Sequence, residues 1–240
     1  MVNIVFSTSD RVDLFEDTIC SLIKYNPEID ELVENVYILD DRSSLGNRNI
    51  MELLLQKYFP NKGRLVTFND SSHPFAYVKK FDFIKNTCGK ANYTLFIEED
   101  WRSIDSMELS THVDYLTHNP NIDQIVFSEH FWFQDNPVKD LTSVNEIYWE
   151  PNKSDIFKHT YGFSVNESNE MFYKWIYSRP MFTFNPALTR NSIFLNHNFT
   201  LMRGWEDDFH NKVNATQLHT KLAKFVHTGE YRSVEGTRWG

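Results

Sequence analysis

Two rhythms of apolar and polar positions alternate along the first half of the chain. Asn3 to Ser7 is a short β-branched and aromatic run, which predicts a strand. From Val12 to Tyr25 the apolar residues Leu14, Phe15, Ile19, Leu22 and Ile23, with Thr18 among them, recur at helical spacing, and the pattern stops before Asn26-Pro27. The alternation then repeats. Val36 to Leu39 predicts a strand, Asn49 to Phe59 a helix ended by Pro60, Leu65 to Phe68 a strand, Tyr77 to Thr87 a helix, and Tyr93 to Ile97 a strand. Strands separated by helices of this length predict βαβ units and a mainly parallel sheet, an α/β fold.

The second half is less regular. Ser106 to Thr117 predicts a helix and Gln124 to Ser128 a strand. His130 to Tyr161 is aromatic and polar with no long period, and the aromatic richness extends to Phe182. The bland reading of this segment is core packing; the sharper one is a ligand cleft, because aromatic faces stack on ligands and sequence irregularity suits a specificity loop. Phe182 to Asn185 predicts a strand, "PALTRNSIFLNH" a helix starting at Pro186, "GWEDDFHNKVNATQLH" a loop entering a helix, and "KFVHTGEYR" a last strand and tail. No repeat, low-complexity tract or linker divides the chain, so a single domain over 1–240 is expected.

Composition narrows the functional classes. A chain of 240 residues, 41% hydrophobic, is long enough for a sizeable core. Its formal net charge of -9 argues against a large nucleic-acid footprint, but leaves room for a small anionic ligand held by local donors. Cys20 and Cys88 have no CxxC partner, which excludes a zinc ribbon and predicts free thiols in a reducing compartment. Met1 leads into an apolar run too short for an export signal, and no stretch approaches the roughly 18 apolar residues of a membrane span. A cytoplasmic location with no membrane span is the expectation.

The polar ends of the predicted strands carry the chemistry. Ligands of a parallel sheet bind beyond the C-terminal ends of its strands. Three of those ends read "STSDR", "DDRSS" and "EEDW". Acids at one strand end are as readily a turn or a helix cap; acids at several ends of one sheet edge point to a shared site. Glu98 and Asp100 are spaced x, x+2, so a continuing strand would turn both to one face. Hard divalent cations take carboxylate oxygens and keep positions for phosphate. Asp41 at a strand end can accept hydrogen bonds from a base. In "GWEDDFH" an acid is either a helix-start residue favoured by the dipole or a general base, with Trp205 as a stacking wall for a sugar. His227 gains weight only if a metal needs another ligand. His210 and His219 are too far apart for a HExxH-type zinc site.

In this order the motifs resemble the GT-A glycosyltransferases, over roughly Asn3 to Arg232 and least between His130 and Phe182. "GWEDDFHNKV" is similar to the acidic helix start of β-1,4-galactosyltransferases and related inverting enzymes, and "FIEEDW" to the Asp-x-Asp metal motif in a Glu-x-Asp form. The resemblance implies a nucleotide-binding half over 1–100 and an acceptor-binding, catalytic half over 101–240. It implies Mn2+ or Mg2+ held by Asp100 and His227, with Glu98 near the ribose or a metal-bound water. Asp41 would contact uracil, Thr8 and Arg11 would flank the nucleotide, and Arg232 would reach the diphosphate. Asp207 would be the base, with Asp208 as the alternative and Glu206 hydrogen-bonded to the acceptor. Trp101 and Trp205 would face that acceptor.

The expected activity is metal-dependent, inverting transfer of a sugar, a hexose above all, from a nucleotide diphosphate to a hydroxyl of a glycan or other acceptor. UDP is favoured over GDP only through the resemblance at Asp41. Two other readings use the same acids. A non-catalytic sugar-nucleotide or glycan-binding module would be favoured by loss of Asp100 or Asp207, and both are present. A metal-dependent phosphohydrolase would release phosphate without an acceptor. A retaining transferase would differ in product stereochemistry.

Overall fold

The computed structural model describes residues 1–68, 73–88, 91–127, 163–168, 172–177, 186–195, 217–220 and 224–228. The chain starts with β1 (Val2–Thr8), α1 (Val12–Tyr25), a single turn α2 (Ile29–Leu32), β2 (Val33–Asp40), α3 (Leu45–Tyr58), β3 (Gly63–Thr67), α4 (His73–Thr87) and β4 (Tyr93–Glu98). It continues through β5 (Trp101–Ser103), α5 (Leu109–His118), β6 (Gln124–Val126), β7 (Phe163–Ser168), β8 (Phe172–Tyr177), β9 (Ala187–Arg190), a short α6 (Ser192–Leu195), β10 (Gln217–Thr220) and β11 (Phe225–His227).

Among these residues, nine strands form one sheet in the order β3-β2-β1-β4-β9-β6-β10-β8-β7. β1, β2, β3 and β4 are mutually parallel where they pair, whereas β9 runs antiparallel to both β4 and β6. The chain lays β1, β2 and β3 outward to one edge and then returns to add β4 on the other side of β1. That reversal is a topological switch point, and sheets of this kind bind ligands in the crevice beyond the strand ends at such a point, here those of β1 and β4. β5 and β11 form a separate antiparallel pair.

The parallel strands are apolar on both faces because helices cover both. One core cluster joins Ile4, Phe6, Ile38, Leu95 and Ile97 to Phe15, Ile19 and Leu22 of α1 and Met51 and Leu55 of α3. A second, on the opposite face, joins Val5, Tyr37, Leu39 and Phe96 to Phe81, Ile84 and Cys88 of α4 and its end. Phe15, Ile19 and Leu22 are fully buried, each contributing about 1.5–3 kcal/mol, so packing holds α1 more firmly than propensity does. Asn26 ends α1: its backbone N–H and side-chain amide both donate to Leu22 O, and its Oδ1 accepts from the Met107 N–H at 2.7 Å. Both cysteines are free thiols, and burial pushes Cys88 up to about 12.

The first four predicted strands and first three long helices are present, with ends shifted by a few residues. The helix expected from Pro186 is corrected: Ala187–Arg190 is strand β9, followed by a single helical turn. Its side chains at Ala187, Leu188 and Thr189 are all fully buried between β4 and β6, and this pairing outweighs a local helical pattern. The helix expected to run to His219 is likewise replaced at its end by β10. Among the described residues no helix is long and apolar enough to cross a membrane.

Candidate active site

The crevice at the switch point is built from the ends of β1, β2 and β4. Two loops there are tied to each other. The Asp41 N–H donates to Thr8 O at 2.9 Å and Ser9 Oγ to Asp41 O at 3.1 Å. Asp10 N–H donates to Ser43 Oγ, and Asp10 Oδ1 accepts from the Ser44 N–H and the Asn47 amide. Asp10 and Arg42 both adopt the left-handed backbone region, φ 54° and 63°, which costs a side chain such as arginine on the order of 1 kcal/mol. The hydrogen bonds that tie the loops together offset that strain. Asp40, wholly buried, closes the arrangement by accepting from Ser43 and from Arg48 Nε at 2.8 Å.

Asp41 is thereby held at the rim of the crevice, 7% exposed, with Arg42 Nε on its Oδ1 at 3.0 Å. Thr8 is the last residue of β1, and its Oγ1 is buried without a hydrogen-bond partner. β4 ends at Glu98, and Glu99 and Asp100 form the turn that follows. The strict alternation expected to pair Glu98 with Asp100 therefore stops at Glu98, and Glu99 and Asp100 share a partner instead. Arg11, directly before α1, donates from Nε and Nη2 to Glu99 Oε1 at 2.7 and 2.6 Å, and from Nη2 to Asp100 Oδ2 at 2.8 Å.

His227 comes to the same oxygen from the far end of the chain. Pairing of β11 with β5 sets His227 opposite Trp101, and the Thr228 N–H donates to Asp100 O at 2.8 Å. The His227 Nε2 is then 3.3 Å from Asp100 Oδ2. Trp101, expected at the acceptor, is 1% exposed and makes a T-shaped contact with His227, with ring centroids 5.1 Å apart. Glu206, Asp207, Asp208, Trp205 and Arg232 lie outside the described residues.

Charges balance unevenly here. Burial pushes the Asp100 carboxyl up, but His227 and Arg11 outweigh it and hold it below the usual carboxylate range. Burial pushes Glu99 up, and Arg11 offsets this only in part. Burial would lower the Arg11 pKa, yet Glu99 and Asp100 together raise it.

Two residues emerge that the strand-end reading missed. Glu99 is the anchor of Arg11. Lys80 of α4, 9% exposed, donates from Nζ to Ser7 Oγ at 2.8 Å beneath the crevice. Burial lowers the Lys80 pKa against the pull of Glu99, Asp41, Glu98 and Asp40. Its signal in the sequence is a lysine four residues before Ile84, on the apolar face of its helix.

A divalent cation fits this donor set. Asp100 Oδ1 is buried and has no hydrogen-bond partner, an expensive state for a carboxylate oxygen unless something else occupies it. An imidazole nitrogen stands beside the same carboxylate; the carboxylate suits a hard ion such as Mg2+ or Mn2+, whereas the imidazole is a ligand of softer divalent ions as well. Among the described residues no group of three or more His, Cys, Asp or Glu is placed to hold a metal ion. Ions of this kind usually complete their shell with phosphate or water oxygens.

No family model matches the sequence, and no curated protein does. Solved structures match it by shape. One is the mannosyltransferase PcManGT from Pyrobaculum calidifontis, solved with GDP-Man and Mn2+, with TM-score 0.58 and 12% identity over 97% of this chain and 58% of that one. S. aureus TarS matches with TM-score 0.57 and 11% identity over 95% of this chain and 36% of that one. Glucosyl-3-phosphoglycerate synthase from Mycobacterium tuberculosis, in complex with Mn2+, UDP and glucosyl-3-phosphoglycerate, matches with TM-score 0.54 and 12% identity over 96% and 72%. The chain thus spans little more than half of the mannosyltransferase and about a third of TarS. At these identities the likeness is one of fold, and the fold of this chain is that of the GT-A glycosyltransferases.

Proposed function

We propose that this chain is a metal-dependent glycosyltransferase that takes a sugar from a nucleotide diphosphate, a UDP-sugar in the first instance, and passes it to a hydroxyl acceptor with inversion. The observation that carries the reading is the pair Asp100 and His227. They are remote in sequence, 3.3 Å apart at the switch point, and Asp100 keeps a buried, unpartnered oxygen. Residues 1–100 form the nucleotide-binding half in this reading, and 101–240 the acceptor half.

Each residue has a task set by its chemistry. Asp41 accepts from the base, and Thr8 and Glu98 border the nucleotide. Asp100 and His227 would hold Mn2+ or Mg2+, which would supply positive charge for the departing diphosphate. Arg11 and Arg232 add positive charge at the same diphosphate. Asp207, or its neighbour Asp208, takes the proton of the acceptor hydroxyl as that oxygen bonds to the anomeric carbon; the bond from that carbon to the phosphate oxygen breaks on the opposite side. Glu206 and Trp205 orient the acceptor. The neighbours solved with GDP-Man, UDP and Mn2+ support the ligand class but leave the donor base open.

Calorimetric titration of UDP into the protein, with and without Mn2+, tests this. Binding should require the ion and should weaken at least about tenfold in Asp100→Ala, whose remaining imidazole is too poor a site alone. Ion-independent binding, or none of UDP, GDP or TDP, would remove the basis of the proposal. Fast phosphate release from simple esters would favour the hydrolase instead.

A further inference from the structure

We infer that Arg11, steered by Glu99, is a built-in counter-charge that keeps Asp100 from holding a divalent cation until the nucleotide arrives. The inference rests on the glycosyl-transfer reading and gives Glu99 a task beside the acid that would hold the metal.

Glu99 is fixed too firmly to serve as a mobile ligand. Its N–H donates to Ser7 O at 3.0 Å, its carbonyl accepts from Thr18 Oγ1 at 2.6 Å, and it is 4% exposed. Two of the Arg11 N–H donors end on one of its oxygens. That grip leaves the guanidinium against Asp100 Oδ2, the same oxygen that His227 approaches. A cation drawn to Asp100 and His227 would meet a like charge at contact distance in a crevice poorly screened by water, where repulsion is strong.

The diphosphate resolves the conflict. Its oxygens satisfy the ion and give the guanidinium a new partner while Nε stays on Glu99. Ion and nucleotide then help each other bind, and by linkage each should bind weakly alone. Arg11 touches the ligand directly in this scheme, and Glu99 is a positioning residue that acts through it.

Mn2+ binding to nucleotide-free protein, followed by the loss of free-ion signal in electron paramagnetic resonance, is the test, with UDP affinity at saturating Mn2+ measured alongside. Arg11→Gln should bind Mn2+ alone about tenfold more tightly than the wild type, yet bind UDP with Mn2+ about tenfold more weakly, within the usual range of such couplings. Arg11→Lys, which keeps the charge, should stay near the wild type for Mn2+ alone. Glu99→Gln should bind Mn2+ alone more weakly still, because the guanidinium then has Asp100 as its charged partner. A merely structural role for Arg11 would weaken both ligands together. Unchanged or weaker Mn2+ binding in Arg11→Gln overturns the inference. Should that variant not fold, unchanged or tighter Mn2+ binding in Glu99→Gln overturns it equally. Wild type that binds UDP with Mn2+ beside an Arg11→Gln no tighter for the ion sinks this inference alone. Wild type that binds neither ligand sinks the transferase reading with it.

Discussion

Glu99 and Asp100 are chain neighbours whose protons are held in opposite senses: burial outweighs Arg11 at Glu99, whereas at Asp100 burial is outweighed by the hydrogen bond with His227 and the Arg11 guanidinium together. Burial decides a third case, His112 on the inner face of α5. It is 4% exposed, with Nδ1 3.0 Å from Glu108 O and its ring edge-on to Phe127. Burial holds its pKa below 6.5, although Glu108 pulls the other way, and Lys224 adds a smaller effect in the same direction as burial. The unfolded chain takes up this proton near pH 6.5, whereas the folded one does so only at lower pH. Between those values the unfolded state binds more protons, so stability falls as pH falls, by at most about 1.4 kcal/mol per unit. Urea unfolding at pH 7.5, 6.5 and 5.5 should therefore show a steeper loss in the wild type than in His112→Leu, whatever offset the variant carries. Equal slopes would mean that His112 titrates freely when folded. Of the site itself, roles came only from the resemblance, but the placement of Thr8, Asp41, Glu98 and Asp100 at or just after strand ends, and of Arg11 before α1, was legible because strand ends can be read from hydrophobic runs. Glu99 was not, since strand alternation assigns it to the wrong face once the strand has ended. Lys80 was not, since a lysine in a helix is ordinarily solvent-facing.

α3 and β3 meet through a missing side chain. A Cβ on Gly63 would lie 2.9 Å from Leu55 Cβ and 3.2 Å from Phe59 O, too close for either to remain in place. Gly63 also donates its N–H to Phe59 O and opens the register with Val36, so it sets both the end of α3 and the start of β3. Gly63→Ala should thus lower stability by about 1–3 kcal/mol, as overpacking does, and chemical denaturation would read it as a lower midpoint at unchanged slope. A variant as stable as the wild type would mean that the helix shifts without cost. The β-α alternation from Val2 to Glu98 was visible in the sequence because each element there carries its own period. β9 was not. "PALTR" satisfies helix-start rules, yet Leu188 is buried between Leu95 and Ile125, and Thr189 accepts from Gln124 Nε2 at 2.8 Å. Those partners are 63 or more residues away in sequence, beyond what a local period can report. β5 is three residues long, and its pairing with β11, which delivers His227, is equally remote.

At the scale of the molecule, the crevice depends on how unequal the sheet is. β1 lies between β2 and β4, with Ile4, Val5 and Phe6 at most 2% exposed, and helices cover both of its faces. β3 at the edge pairs only with β2 among the described strands, and its five residues are half-buried or exposed. Opening free energy follows such differences, with edges opening before the centre. Hydrogen exchange followed by mass spectrometry should therefore leave Val2–Thr8, Val33–Asp40 and Tyr93–Glu98 protected longest, and release Gly63–Thr67 earlier. UDP with Mn2+ should then slow exchange in 9–11, 41–44 and 99–100, where the tied loops meet the ligand, and leave β3 unchanged. Protection of β3 equal to that of β1 would mean that the edge is covered by some part of the chain beyond the described residues. Slowing spread evenly over the sheet would mean that the ligand stabilises the whole fold and that the loops are not set in advance. The strained, cross-linked loops at Asp10 and Arg42 predict the local outcome: their geometry is set before binding, so the ligand protects only the amides it contacts and need not reorder the sheet.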